Sequence, residues 1–271
     1  MIRFLVLVGY LEMTMYLQLT GKLDQYINSH YTYLTYMSMV LAFILAIVQL
    51  TIWMRRLKVH SHLSGKIAKL TSPLILAIPV MVALFIPTVT LDSTTVSAKG
   101  YYFPTASGSD PSGVSEDGQR VQYLKPDTSL YFTSSTYSKE MQKSLEKYQG
   151  TGTLKITSET YMEIMELIYL YPSEFVGRDI EYVGFVYNDP VDNADFFAFR
   201  FGVIHCIADS GVYGLMIKDA DQTYSDNTWV KVKGQIVVEY NQNLQQTLPV
   251  LHVTDCQQVN QPDNAYVYRV F

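Results

Sequence analysis

The stretch YTYLTYMSMVLAFILAIVQLTIWM, residues 31–54, contains no charged side chain. A helix needs about 20 predominantly apolar residues to cross the hydrocarbon core of a bilayer. A second uncharged stretch covers residues 70–91, and a shorter apolar stretch, residues 4–20, carries one charge at Glu12. The sequence therefore predicts three transmembrane helices within residues 1–91, embedded in a lipid bilayer.

The first stretch also resembles a signal peptide, because Arg3 precedes its apolar core. No small-residue cleavage site follows, since Met13 and Met15 occupy that region, and a retained span is favoured. Glu12 is then an ionisable group inside the membrane. Two interpretations stay open: Glu12 contacts a partner helix or a polar pathway, or the helix sits off-centre and Glu12 lies near the interface.

The orientation of the spans follows from Lys and Arg in the short loops. The loop between the second and third spans holds five basic residues, whereas the loop between the first and second holds only Lys22. The five basic residues are Arg55, Arg56, Lys58, Lys66 and Lys69. The N-terminus and this basic loop are expected to be cytoplasmic, and three crossings place residues 92–271 outside the cytoplasm.

The charge changes sign after the apolar region. Residues 1–91 hold 7 Lys+Arg and 2 Asp+Glu, whereas residues 92–271 hold 13 and 23. Phosphate contact depends on Lys and Arg, so the acidic second part argues against a nucleic-acid partner. Residues 92–136, which include a run rich in Ser, Gly, Pro and Asp at 104–118, are predicted to be a linker.

A connecting segment with helices is predicted at residues 137–176. Met141, Leu145 and Tyr148 recur at helical spacing, and Leu154–Ile156 alternates like a short strand. Ser158 is a candidate N-cap for a second helix that ends before Pro172.

Residues 177–271 alternate with the period of β-strands. Glycines inside the predicted strands mark the bends that a strongly curved sheet needs. Five strands with no long helical insert predict a five-stranded OB-like β-barrel, with a β-sandwich as the alternative, so the overall fold class is α+β. The predicted strands are Arg178–Tyr187, Phe196–Ala208, Val212–Ile217, Trp229–Tyr240 and Leu248–Val259.

Several motifs recur in this last region: GRDIEYVGFVY at 177–187, FRF at 199–201 followed by HCIAD at 205–209, WVKVKG at 229–234 and PDNAYVY at 262–268. These motifs, together with the order of membrane spans and exported part, resemble the YcgQ-like family. The resemblance implies a subunit that accompanies a multi-pass membrane permease and has a transport-associated role. The family often has a second cysteine where this chain has His205, so a two-thiol site is not supported here, whereas a metal site is still open.

The strongest candidate for chemistry is a metal site formed by His205, Cys206, Asp209, His252 and Cys256. His252 and Cys256 lie four residues apart on a predicted strand and therefore share a face. Thiolate, imidazole and carboxylate are ligands of zinc and of other thiophilic metals. The spacing matches no standard zinc pattern, and two alternatives stay open: a Cys206–Cys256 disulfide, or two structural thiols.

The sequence lacks GxSxG, P-loop, HExxH and GxGxxG motifs, so an enzyme is not expected. We expect a membrane-anchored accessory subunit of a permease, with an extracytoplasmic domain that binds a metal ion or a small solute. The alternative is an exported cell-envelope binding or sensing module without a transport partner. Glu12 is the candidate partner contact, aided by small or polar residues such as Gly9 and Thr35, and Arg200 is expected to be structural or a ligand anchor.

Overall fold

The computed structural model describes residues 2–57, 65–101, 134–150, 152–188, 195–242, 244 and 246–269. The chain divides into two compact units, Met1–Thr90 and Leu91–Phe271. The Ser- and Gly-rich run predicted at 104–118 lies outside the described residues.

The first unit contains three apolar helices, α1 (Ile2–Leu19), α2 (Thr32–Met54) and α3 (Lys66–Phe85). All three are long and apolar enough to cross a membrane, as predicted. The third helix, however, ends at Phe85 rather than at residue 91. Ile86 is extended (φ −98°, ψ 123°) because the ring of a following proline, here Pro87, disfavours the helical conformation.

Helix α1 packs against both α2 and α3. A Cβ atom on Gly9 would lie 3.1 Å from Val80 Cγ1, so this glycine permits close approach of α1 and α3. The Tyr10 hydroxyl donates to the Leu76 carbonyl at 2.9 Å. Gly9 and the buried Thr35 therefore serve packing within this unit, whereas the sequence suggested that they face a partner.

The second unit begins with a helix that the sequence did not predict, α4 (Ser93–Lys99), inside the expected linker. The Asp92 carboxylate caps α4 by accepting from the backbone N–H groups of Thr94 and Thr95, and Val96 is fully buried. This part of the chain is therefore packed onto the β-rich unit.

Two further helices follow, α5 (Ser134–Lys147) and α6 (Tyr161–Leu170). The first of these confirms the predicted helix near Tyr137–Tyr148. The predicted N-cap of the second was wrong, because α6 begins after Thr160, and the Ser158 hydroxyl accepts a hydrogen bond from Arg200 instead. Most of α6 is buried against the sheet, which makes it part of the core.

One sheet of seven strands forms the rest of the unit, in the order β1-β2-β5-β6-β4-β3-β7, and β2 also pairs with β3. The five long strands lie within two residues of their predicted bounds, except that β3 ends at Val203 rather than Ala208. The two additional strands, β1 and β7, have two residues each. The strands are β1 (Leu154–Lys155), β2 (Asp179–Asn188), β3 (Phe196–Val203), β4 (Gly211–Lys218), β5 (Trp229–Asn241), β6 (Gln246–Gln258) and β7 (Val267–Tyr268).

Two glycines allow strands to approach each other closely. A Cβ atom on Gly234 would lie 2.2 Å from the His252 carbonyl oxygen, and the β5–β6 register shifts at this position. Gly214 has φ +155°, and its Cβ would lie 2.0 Å from the Ala198 carbonyl oxygen. Side chains at these two points would therefore push neighbouring strands apart.

Candidate functional site

His205, Cys206 and Asp209 form a tight turn directly after β3. The Asp209 carboxylate accepts hydrogen bonds from the backbone N–H groups of His205 and Cys206, each at 3.0 Å. The same carboxylate lies 2.6 Å from His205 Nδ1. This is a capping box around the short 3-10 helix Ile207–Asp209. It explains why β3 ends at Val203, and it gives the Asp209 carboxylate a structural role.

His252 lies on β6 and bridges two carboxylates. Its Nδ1 is 2.5 Å from Asp219 Oδ2, and its Nε2 is 2.6 Å from Glu239 Oε1. Hydrogen bonds to Glu239 and then to Asp219 raise the pKa of His252 above its usual range. Both ring nitrogens then donate, which is the arrangement of an imidazolium ion rather than of a metal ligand.

The same network includes Lys218 on β4. Its ammonium is 3.0 Å from Glu239 Oε2 and 3.5 Å from Asp195 Oδ2. The hydrogen bonds from His252 and then Lys218 lower the pKa of the Glu239 carboxyl. We name these residues the β4-end network; they are Asp195, Lys218, Asp219, Glu239 and His252. Sequence reasoning found only His252, because the other members converge through strand pairing.

Cys256 is half-buried on β6, opposite Val232 on β5. Burial raises the pKa of its thiol, so the thiol is protonated near neutral pH. The Tyr224 hydroxyl donates to the Cys256 carbonyl at 2.9 Å. These contacts are typical of a structural cysteine.

The structure does not bring the five predicted metal ligands together. Cys206 and Asp209 precede the first residue of β4, whereas His252 pairs with its last residue, Lys218. At about 3.3 Å per residue, the eight residues of β4 separate the two groups by roughly 20 Å. Because β6 runs parallel to β4, Cys256 lies beyond the end of β4 and is even farther from Cys206.

Both cysteines are free thiols. A disulfide requires Cα atoms within about 7 Å, which the separation along β4 does not allow. Within the described part of the chain, no group of three or more His, Cys, Asp and Glu side chains is arranged to hold a metal ion. The metal site thus stays a prediction from the sequence.

Arg200 is the most deeply buried cation of the β-rich unit, with 2% of its surface exposed. Its guanidinium donates to the Ser158 hydroxyl at 2.8 Å and to the Asn264 carbonyl at 2.7 Å, with longer contacts to the Ala265 and Tyr266 carbonyls. It also lies over the rings of Tyr161 and Trp229. Burial lowers the pKa of this guanidinium. Arg200 therefore holds the segment after β6 against β3, which is the structural role expected for it.

A buried ion pair that the sequence did not reveal lies between α6 and the C-terminal segment. Arg269 Nη1 is 3.0 Å from Glu166 Oε2, and the Glu166 side chain is 3% exposed. A single acidic residue among the apolar residues of α6 was the only signal in the sequence.

Glu12 lies on α1, and its side chain is exposed. Within the described part of the chain, no residue pairs with its carboxylate. Glu12 thus differs from the ionisable groups described above, all of which are engaged within the fold.

Comparison with known proteins places the whole chain. Residues 2–102 match the DUF1980 N-terminal domain, and residues 131–269 match the DUF1980 C-terminal domain. The chain is 35% identical to the UPF0703 protein YcgQ of Bacillus subtilis, over the full length of both. The chain belongs to the YcgQ family of DUF1980 proteins. This family membership agrees with the resemblance carried by the motifs between residues 177 and 268.

A second relative of this YcgQ-family chain is more similar. It is a Streptococcus mutans protein, 68% identical over the full length of both chains, named "Putative two-component membrane permease complex subunit". That name describes a subunit of a membrane complex and not an enzyme. Together with the three apolar helices of this chain, it supports a membrane location.

Proposed function

We propose that this chain is the membrane-anchored accessory subunit of a two-component permease, and that residues 92–271 lie outside the cytoplasm. The observation that carries the proposal is the full-length similarity to the Streptococcus mutans protein, combined with three apolar helices followed by a β-rich unit. A multi-pass membrane protein is the proposed partner.

The number of spans supports an accessory role. A pathway for a polar solute must be lined by polar groups and closed off from lipid by several helices. The three helices of the first unit carry one acidic side chain between them, and their remaining exposed surface is mostly apolar. A second, larger component is therefore needed to form the pathway.

The proposed domain plan is that of the sequence: a membrane region at 1–91, a linker at 92–136, a connecting segment at 137–176 and the β-domain at 177–271. For the last we propose an OB-type barrel. The pairings β2–β3, β3–β4, β4–β6, β6–β5 and β5–β2 support it, because they form a ring, and β4 and β6 are parallel. The bound solute or metal of such a barrel stays a prediction, which elemental analysis of the purified protein tests.

The complex is tested by purifying the tagged full-length chain from membranes in a mild detergent. We expect one multi-pass membrane protein to accompany it in a constant ratio through two successive columns. Recovery of the chain alone, or with variable contaminants, would refute the assignment as a subunit.

The orientation is tested separately by single cysteines in a Cys206→Ser, Cys256→Ser background. A cysteine at Asn241 should react with an impermeant maleimide on intact cells. A cysteine at Arg56, in the basic loop, should react only after the membrane is opened. The reverse pattern would overturn the proposed orientation.

A further inference from the structure

Glu12 sits deep in the span that α1 is proposed to form. Helix α1 runs from Ile2 to Leu19, which is about 27 Å at 1.5 Å per residue and slightly less than the hydrocarbon core of a bilayer. Glu12 lies seven residues, or roughly 10 Å, from the nearer end of the helix. A glutamate side chain cannot reach the headgroups over that distance, and so short a helix has little freedom to slide off-centre.

The side of α1 that carries Glu12 is not covered within the first unit. Leu5 and Leu19 each lie seven residues from Glu12, almost two full turns, and therefore share its side of the helix. Leu5 is 54% exposed and Leu19 is 82% exposed. The packing on α3 uses Gly9 and Tyr10 instead. We call the three residues Leu5, Glu12 and Leu19 the Glu12 face.

An uncompensated carboxylate facing lipid costs about 3 kcal/mol in a spanning helix, and protonation leaves a polar group without a partner. Lipid alone cannot recover this free energy, because it offers neither a cation nor a hydrogen-bond donor at that depth. A membrane helix that carries a basic side chain recovers it through a charged hydrogen bond.

We propose that the Glu12 face is the docking surface for a transmembrane helix of the second permease component, and that this helix presents a Lys, Arg or His side chain to Glu12. The inference rests on the proposed function, which supplies a membrane partner. It adds the chemistry of the contact: a basic group within the bilayer, paired with the single acidic residue of α1.

The test uses the full-length chain in its native membrane, with a photo-crosslinking amino acid placed at Leu5 or at Leu19. Leu41 on α2, which is 58% exposed, is the matched control. We expect both α1 positions to link to a helix of one multi-pass protein, and the linked peptide to contain a Lys, Arg or His within one turn of the joined residue. Links only to lipid, only to a second copy of this chain, or to a helix without a basic residue would overturn the proposal.

Substitution of Glu12 provides the energetic test. Glu12→Leu should lower the co-purification of the partner by about tenfold or more, since the partner's basic side chain is left unpaired in the membrane. Glu12→Lys should lower it further, and exchanging the partner's basic residue for Glu should restore it. Glu12→Gln should have an intermediate effect, because an amide keeps a hydrogen bond but not the charge. The matched substitution Leu41→Gln should leave co-purification unchanged.

The two proposals fail in different ways. If wild-type chain recovers a partner and the Glu12 variants recover it equally well, the docking inference is wrong and the subunit assignment stands. If wild-type chain recovers no partner, the subunit assignment itself fails.

Discussion

Removal of the Arg200 guanidinium is expected to loosen the segment that follows β6. Arg200→Met keeps most of the side-chain volume but deletes every hydrogen bond to Ser158 and to the carbonyls of residues 264–266. A buried acceptor left unpaired costs about 1–3 kcal/mol, and three carbonyls lose their donor. The variant no longer buries a charge, which offsets part of the loss. We expect a net decrease of about 3 kcal/mol in the free energy of unfolding.

The second unit spans Leu91–Phe271, and a domain of this size loses about 2–4 °C of Tm per kcal/mol. The expected decrease in Tm is therefore about 6–12 °C. The protein has two tryptophans, Trp53 and Trp229, so a Trp53→Phe background leaves Trp229 as the only tryptophan. Because Trp229 lies beside Arg200, its fluorescence reports unfolding of this unit in the full-length chain in detergent.

Lys231→Met is the matched control for this experiment. Lys231 pairs with Glu181 at 2.9 Å, but its side chain is 44% exposed, and surface ion pairs contribute about 0–1 kcal/mol. Hydrogen exchange of residues 264–269 should become faster in Arg200→Met and stay unchanged in the control. If Arg200→Met unfolds within about 1 kcal/mol of wild type, the role assigned to the guanidinium is wrong.

Three further predictions concern the β-rich unit. Its stability should decrease as the pH rises above about 6.5, because the raised pKa of His252 gives stability that is complete below the unfolded-state value and is lost as the pH passes the folded one; His252→Asn should flatten this slope in unfolding titrations. A thiol count on unfolded protein without reductant should give two, with Cys256 slow to react when folded; a count near zero would show a disulfide with Cys206. Gly214→Ala should destabilise the unit by roughly 3 kcal/mol, whereas Gly152→Ala, where a Cβ meets nothing within 4 Å, should change the unfolding free energy little.

Local patterns predicted the elements of this fold well, because each depends on a few neighbouring residues. The uncharged run 31–54 predicted α2, and the alternation of Val230 and Val232 predicted β5. Boundaries were less certain where one residue had two possible partners. Ser158 has the chemistry of an N-cap, but its hydroxyl binds Arg200, which lies 42 residues away.

The candidate metal site shows what sequence spacing could not provide. His205 and Cys206 were grouped with His252 and Cys256 because all four are possible ligands, not because any local pattern joined them. Their separation depends on the direction and length of β4, which only the strand pairing reveals. The β4-end network was missed for the same reason, since Lys218, Glu239 and His252 come from three different strands.

The use of ionisable groups differs between the two units, and this difference directs the search for the partner. Asp209 closes a turn, His252 bridges two carboxylates and Arg200 binds backbone carbonyls, so these groups already have roles within the fold. Glu12 has no such role in the described part of the chain, although an ionisable group is far more costly in a bilayer than at a protein surface. A costly group without a structural role is best explained by a contact outside the chain. The membrane face, rather than the cysteines and histidines of the sheet, is therefore where binding to another component should first be measured.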